Sequence, residues 1–147
     1  TSRARLHAYL GRKIKERGWG GEGPADPQAL VDRLSDLKYV DDASYAAMKS
    51  ASLARRGYGA RRVAETLRAD GIAEADREEA DARTASESWQ AADRFARRKR
   101  LGPYALERPD PKQREKWTAA SPRAGHSCAT ALRWTDAAPG EMPEEEE

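Results

Sequence analysis

Leu30-Val31-Asp32-Arg33-Leu34-Ser35-Asp36-Leu37-Lys38-Tyr39 carries the pattern by which this chain reads as a helical repeat protein. Its skeleton, Leu30-x3-Leu34-x3-Lys38-Tyr39, returns 33 residues later as Val63-x3-Leu67-x3-Gly71-Ile72. It returns in weaker form, a further 54 residues on, as Trp117-x3-Ser121-x3-Gly125-His126. Apolar residues four apart share one helix face, a tight turn follows, and the next residue staples that turn. A unit built of a helix, a turn, a staple and a second helix cannot bury its face alone, so units must stack. The expected fold is all-α, with tandem three-helix repeats in an elongated, curved array. No segment alternates with period two, so no strands are expected.

Working outward, Leu6, Tyr9, Leu10 and Ile14 predict a first helix that Gly18 ends, before a loop holding Gly20, Gly21, Gly23 and Pro24. Asp26-Pro27 supplies an N-cap and a first-turn proline for the helix carrying Leu30, Leu34 and Leu37. Tyr39 and Val40 lead into Asp41-Asp42, the next cap signal, and Tyr45, Met48, Ser52 and Leu53 mark one side of the helix beyond. Gly57-Tyr58-Gly59 reads as a corner, Val63 and Leu67 face inward, and Gly71 is the C′ residue of their helix. Ile72 then staples onto a longer helical stretch through Trp89, Ala92, Phe95 and Ala96, which Gly102-Pro103 stops. A second Asp-Pro start at Asp110-Pro111 precedes Trp117, and Pro122 is an awkward residue for that helix. The expected divisions are residues 1–57, 58–103, a degenerate third repeat at 104–135, and a disordered acidic tail at 136–147. Leu30, Leu34, Val63 and Leu67 should be buried in equivalent positions.

Hydrophobic residues make up 38% and charged residues 35% of the 147, a thin apolar supply that suits stacked units better than one deep core. The formal net charge of +2 hides an asymmetry. Residues 136–147 hold six acids and no base, which leaves 27 basic against 19 acidic residues before them. A basic body points to a polyanion or an acidic protein surface as partner. The single cysteine, Cys128, permits no intrachain disulfide and fits a reducing compartment, and no apolar run approaches a membrane span of about 18 residues. The first residues lack the apolar core of a signal peptide, so a cytoplasmic protein is expected.

Few residues invite catalytic or metal chemistry. Asp41-Asp42 reads as one helix cap and one carboxylate complementing the helix dipole, since no third ligand lies near in sequence. His7 reads as a surface residue, His126 as a staple, and His126 with Cys128 as too few ligands for a metal. Gly57-x-Gly59 follows a helix, whereas a phosphate-binding loop follows a strand. The basic clusters are stronger signals: Arg55, Arg56, Arg61 and Arg62 flank the corner, and Arg97-Arg98-Lys99-Arg100 ends the long helix. Dipole compensation explains one such cluster alone, but two suggest a binding surface on which Tyr58 could stack on a base or cover an apolar patch.

Three stretches resemble the RecX family: Leu34 to Ala46 with its Tyr39-Val-Asp41-Asp42 and Tyr45, Arg55-Arg-Gly57-Tyr58-Gly59-Ala-Arg-Arg62, and Leu67-Arg-Ala-Asp-Gly71-Ile72. Tyr9-Leu-x-Arg-Lys13, Arg98-Lys-Arg-Leu-Gly-Pro103 and Arg123-Ala-Gly-His-Ser127 extend the resemblance over roughly residues 5 to 135. Cys128 departs from it, standing where the family commonly has an aromatic residue, and Ser121-Pro122 interrupts the third repeat's first helix. The resemblance implies tandem three-helix repeats and a monomeric regulator that binds the RecA recombinase filament on single-stranded DNA, restraining it without cofactor or catalytic residue. It also implies that some members touch DNA. Two other classes stay open at this point, a helix-turn-helix-like DNA-binding regulator reading through the Arg61-Arg62 helix, and a purely structural adaptor.

Overall fold

The computed structural model describes residues 1–21 and 23–145 and is all-helical over them. Its helices are α1 (Arg3–Arg17), α2 (Pro27–Asp36), α3 (Asp42–Arg55), α4 (Ala60–Ala69), α5 (Glu74–Ser86), α6 (Ser88–Lys99), α7 (Pro111–Arg123) and α8 (Cys128–Asp136). A 3-10 turn at Gly102–Tyr104 follows α6. Five helices begin with a side-chain cap, from Ser2, Asp26, Asp41, Asp110 and Ser127, each accepting the amide N–H three residues on. The long stretch expected after Ile72 breaks at Glu87 into α5 and α6. Pro122 is held in the last turn of α7, where only the end of the helix lacks its hydrogen bond.

Packing groups these helices into units. Helices α3, α4 and α5 close on Ala46, Leu53, Val63, Leu67, Ile72 and Ala80. Helices α6, α7 and α8 close on Phe95, Leu101, Trp117 and Trp134, with Trp89 and Tyr104 at the edge. Helices α1 and α2 form a pair beside them, and Tyr58 packs against both cores. The expected divisions at 57/58 and 103/104 therefore run through packed units, parting α3 from α4 and α6 from its partners.

The repeat is real, but its register differs from the one expected. Leu30 is 41% exposed and Leu34 half-buried, whereas Val63 and Leu67 are fully buried. Tyr39, the first staple, is 78% exposed, and its neighbour Val40 is buried instead. Met48 also points outward, and α3 buries Ala46, Ser50, Leu53 and Ala54. The offset-33 match reflects turn chemistry. Tyr39 N–H donates to Leu34 O as Ile72 N–H does to Leu67 O, Tyr58 N–H to Leu53 O and Leu101 N–H to Ala96 O. Each is a Schellman end, which itself asks for a left-handed residue and then an apolar contact. Lys38, Gly57, Gly71 and Arg100 all have positive φ there.

The unit that recurs is α1, α4 and α7. Leu10-x3-Ile14-x3-Gly18-Trp19, Val63-x3-Leu67-x3-Gly71-Ile72 and Trp117-x3-Ser121-x3-Gly125-His126 stand 53 and 54 residues apart. The three glycines share positive φ, at 76°, 77° and 96°. The junction between units recurs as well. Gly59 N–H donates to Ala124 O at 2.7 Å and Arg61 N–H to Gly125 O at 3.3 Å, seating the start of α4 on the α7–α8 turn. In the same way Ser2 Oγ donates to Asp70 O at 2.6 Å, seating the start of α1 on the α4–α5 turn, with Ala4 against Gly71. Asp70 and Ala124 are equivalent positions of the repeat.

The acidic stretch from residue 136 opens with Asp136, the last residue of α8, whose carboxylate pairs with Arg114 at 2.8 Å. Gly140 N–H donates to Pro103 O at 2.9 Å. The final residues of the expected tail, Glu146 and Glu147, lie outside the described residues.

Candidate partner-binding site

The two basic clusters, some forty residues apart in sequence, meet at Tyr58. Gly57 makes this possible: its φ of 86° turns the chain sharply, and a Cβ there would lie 2.8 Å from the Phe95 backbone nitrogen. That close approach brings the end of α6 to the corner, where an Arg98 guanidinium nitrogen donates to Arg56 O at 2.9 Å. Arg94 ties the same helices through Ala54 O at 3.3 Å. The guanidinium groups of Arg56, Arg62 and Arg98 lie 5.2, 5.7 and 5.7 Å from the Tyr58 ring centroid. Three cations thus share one aromatic ring, an attractive arrangement for each cation but a mutually repulsive one for the set. Hydrogen bonding from Arg98, followed by the charge of Arg56, holds the Tyr58 hydroxyl below the ordinary phenol range. Among the described residues none of the three guanidinium groups is ion-paired with a carboxylate. Three cations without carboxylate partners raise the positive potential at this corner.

The remaining candidate cations divide. Arg61 pairs with Glu65 at 3.6 Å along α4. Arg97 leaves the platform, lying over the Tyr104 ring at 5.0 Å and donating to its hydroxyl at 3.2 Å. The Tyr104 hydroxyl donates to Asp93, and burial, then that bond, raises its pKa. Arg100 is the left-handed C-cap of α6, and Arg55 and Lys99 are exposed beside the platform.

Three of the motif residues, Asp41, Asp42 and Tyr45, make side-chain hydrogen bonds. Asp41 caps α3, accepting from Ser44 N–H at 3.2 Å and Ser44 Oγ–H at 3.0 Å. These bonds hold its carboxyl below the usual range, the backbone bond first. Asp42 has a second role that the cap signal did not reveal, accepting the Arg3 N–H at 2.8 Å across the junction to α1. The Tyr45 hydroxyl donates to Asp70, whose other oxygen lies 3.8 Å from Arg5. Asp41→Ala should lower the thermal midpoint by a few degrees with helix content unchanged, as read by circular dichroism. With its native pKa depressed, Asp41 stabilises the fold above its unfolded pKa, and that contribution fades as pH falls through this range.

His126 is buried, and its Nε2–H donates to Gly57 O at 2.8 Å, locking the third unit's turn onto the platform corner. The carbonyl accepts only, so the neutral ring carries its proton on Nε2. Burial pushes its pKa below the ordinary imidazole value, against a smaller upward pull from the Gly57 bond. Because the unfolded chain takes up a proton first, stability should be level above about pH 6.5 and fall as pH drops below it. Urea midpoints between pH 5 and 8 check this. His126→Gln should lose most of the slope over that range, and an unchanged slope would place the titrating group elsewhere.

The family model described as "RecX, second three-helix domain" matches residues 41–80, which span α3, α4 and the first half of α5. The regulatory protein RecX of Myxococcus xanthus (strain DK1622) is 37% identical over 133 residues, covering 87% of this chain and 71% of that relative. The regulatory protein RecX of Agrobacterium fabrum is 35% identical over 127 residues, covering 83% and 67%. No solved structure matches. With identity of this level over most of both chains, and the matched three-helix domain coinciding with a packed unit of the fold, the chain belongs to the RecX family.

Proposed function

We propose that this chain binds the RecA recombinase, chiefly its filament on single-stranded DNA, and restrains the filament's activity in recombination and repair. It acts by binding alone, as a cytoplasmic monomer with no cofactor. The observation that carries this reading is the Tyr58 platform with its three unpaired guanidinium groups, in a chain whose named relatives are regulatory proteins. A stacked row of helical units presents a continuous face, and the platform on it would meet acidic protein surface or exposed phosphate in the filament groove. Encounter would be steered by charge, and apolar contacts would hold the complex at moderate salt.

The alternative is a helix-turn-helix-like reader of DNA with α4 as recognition helix. Such helices contact bases through their N-terminal residues. Here that end of α4 is occupied by the Ala124-Gly125 turn, and Arg61 is engaged by Glu65. The test is a pull-down with recombinase alone, recombinase filament and bare single-stranded DNA, at two salt concentrations. The proposal expects filament to be retained best at both. Equal retention of bare DNA and filament, falling together with salt, would move the assignment to direct DNA binding.

A further inference from the structure

One basic face of the third unit is covered by the chain's own acidic stretch. Residues 104–135 hold six basic residues against three acidic ones, and residues 136–147 hold six acids. The sequence turns those acids back onto the body. Ala138-Pro139-Gly140-Glu141 forms a turn closed by the Glu141 N–H on Ala138 O at 2.9 Å. Proline stands second and glycine third, and the Gly140 φ of 80° is the value a type II turn requires there. At this turn the Gly140 N–H donates to Pro103 O at 2.9 Å. Ahead of it, Arg114 holds the Asp136 carboxylate through two nitrogens, at 2.8 and 3.0 Å. That pair offsets an unfavourable placement, since a carboxylate at a helix C-terminus opposes the dipole. Beyond the turn, an Arg133 guanidinium nitrogen donates to Glu144 O. The strap so made does not fill the face. A cleft of ≈ 320 Å³ remains, lined by Arg108, Arg133, Asp136, Glu141 and Glu144, and Arg108 makes no ion pair among the described residues. The Arg114 pair and the Arg133 bond are both exposed, and exposed charge contacts are weak and screened by salt.

We infer that the face made by Arg108, Arg114 and Arg133 is a docking surface for an extended acidic segment of a partner protein, which the chain's own residues 138–145 occupy as a removable strap. The contacts select a peptide over a nucleic acid. Two of the three anchors are to the main chain of the strap, the Gly140 N–H on Pro103 O and Glu144 O under Arg133. The backbone of a DNA strand has no donor to offer Pro103 O, whereas any residue but proline brings one. The glutamates then add long-range attraction toward Arg108 and Arg133. A partner segment must displace the strap before it docks, so the closed strap lowers its apparent affinity. This surface shares no residue with the Tyr58 platform, and the inference stands apart from the recombinase reading.

The test compares the natural chain with a full-length variant carrying Glu141→Gln, Glu144→Gln, Glu145→Gln, Glu146→Gln and Glu147→Gln. The probe is a labelled peptide copying residues 138–147, read by fluorescence anisotropy at low salt, with a labelled oligothymidylate as the second probe. The glutamine variant is expected to bind the peptide about tenfold or more tightly than the natural chain does. Its Gly140 amide should lose about tenfold in hydrogen-exchange protection. Adding Arg108→Glu and Arg133→Glu to that variant should abolish peptide binding with helix content retained, whereas adding Arg56→Glu, Arg62→Glu and Arg98→Glu should cost far less. Equal peptide binding by natural chain and glutamine variant would overturn the inference. So would a loss that follows the platform charges, or Gly140 exchange that the glutamines leave unchanged. Tighter binding of oligothymidylate than of peptide by the glutamine variant would overturn the peptide occupant and give the face to phosphate.

Discussion

Gly125→Ala is expected to destabilise the protein by about 3–5 kcal/mol, the sum of left-handed backbone strain and forced overpacking. The backbone at Gly125 has φ 96°, and an added Cβ would lie 2.4 Å from the Arg62 nitrogen and 2.8 Å from Gly59 O. These are backbone atoms of the junction and have no side-chain freedom with which to withdraw. Two other glycines isolate the causes. Gly140 also has positive φ, 80°, but nothing lies within 4 Å of its Cβ position, so Gly140→Ala should cost about 1 kcal/mol. Gly11 lies inside α1 with open space around it, and Gly11→Ala should stabilise by about 0.5–1 kcal/mol. Urea midpoints for the three variants give the order directly. If Gly125→Ala were as mild as Gly140→Ala, the α4 start could not be seated on the α7–α8 turn as described.

The second large effect is on binding. Arg56→Glu, Arg62→Glu and Arg98→Glu combined should weaken binding to the recombinase filament by about two orders of magnitude, since the loss of charge complementarity is joined by like-charge repulsion. Helix content should be retained, because all three side chains are on the surface. These three are a better choice than the run Arg97 to Arg100. Reversing Arg97 would also disturb Tyr104 and Asp93, and changing Arg100 would alter the end of α6. Tyr58→Ala separates ring from charge: if the ring organises the cations, this variant should lose much of the binding with net charge unchanged. Full filament binding by the triple variant would remove the platform from the partner surface.

Local signals explain what the sequence made legible. Asp26-Pro27, Asp41 and Asp110-Pro111 each cap a helix through a bond three residues long, so the residues that decide the helix starts sit at the starts. Phe95, Ala92 and Ala96 share a face by helical spacing, and they are buried together. The repeat was harder, because the turn after every Schellman end looks alike. Leu34-to-Tyr39 therefore matched Leu67-to-Ile72 although α2 and α4 hold different places in their units. Gly18, Gly71 and Gly125, nearly equally spaced, carried the better signal. Both basic clusters could be found from composition along the chain, but not their convergence. Arg98 reaches Tyr58 only because Gly57 lets α6 approach, and nothing local to Arg98 encodes that contact. Asp42 was legible as a first-turn carboxylate, while its bond to Arg3 N–H belongs to the junction and to residues 39 positions away.

The placement of the indole rings has a spectroscopic consequence. Trp89, Trp117 and Trp134 all belong to the third unit, Trp19 to the first pair, and the stretch from α3 to α5 contains none. Trp89 and Trp134 lie 5.1 Å apart, near enough to couple as chromophores. Selectively excited tryptophan emission therefore reports on the two ends of the row and is blind to its middle. Ellipticity at 222 nm averages over every helix. If the units melt as one, the optical probes will trace a single curve. If the middle outlasts its neighbours, emission will be lost while much of the ellipticity remains, and the gap between the curves will measure how tightly the glycine junctions couple one unit to the next.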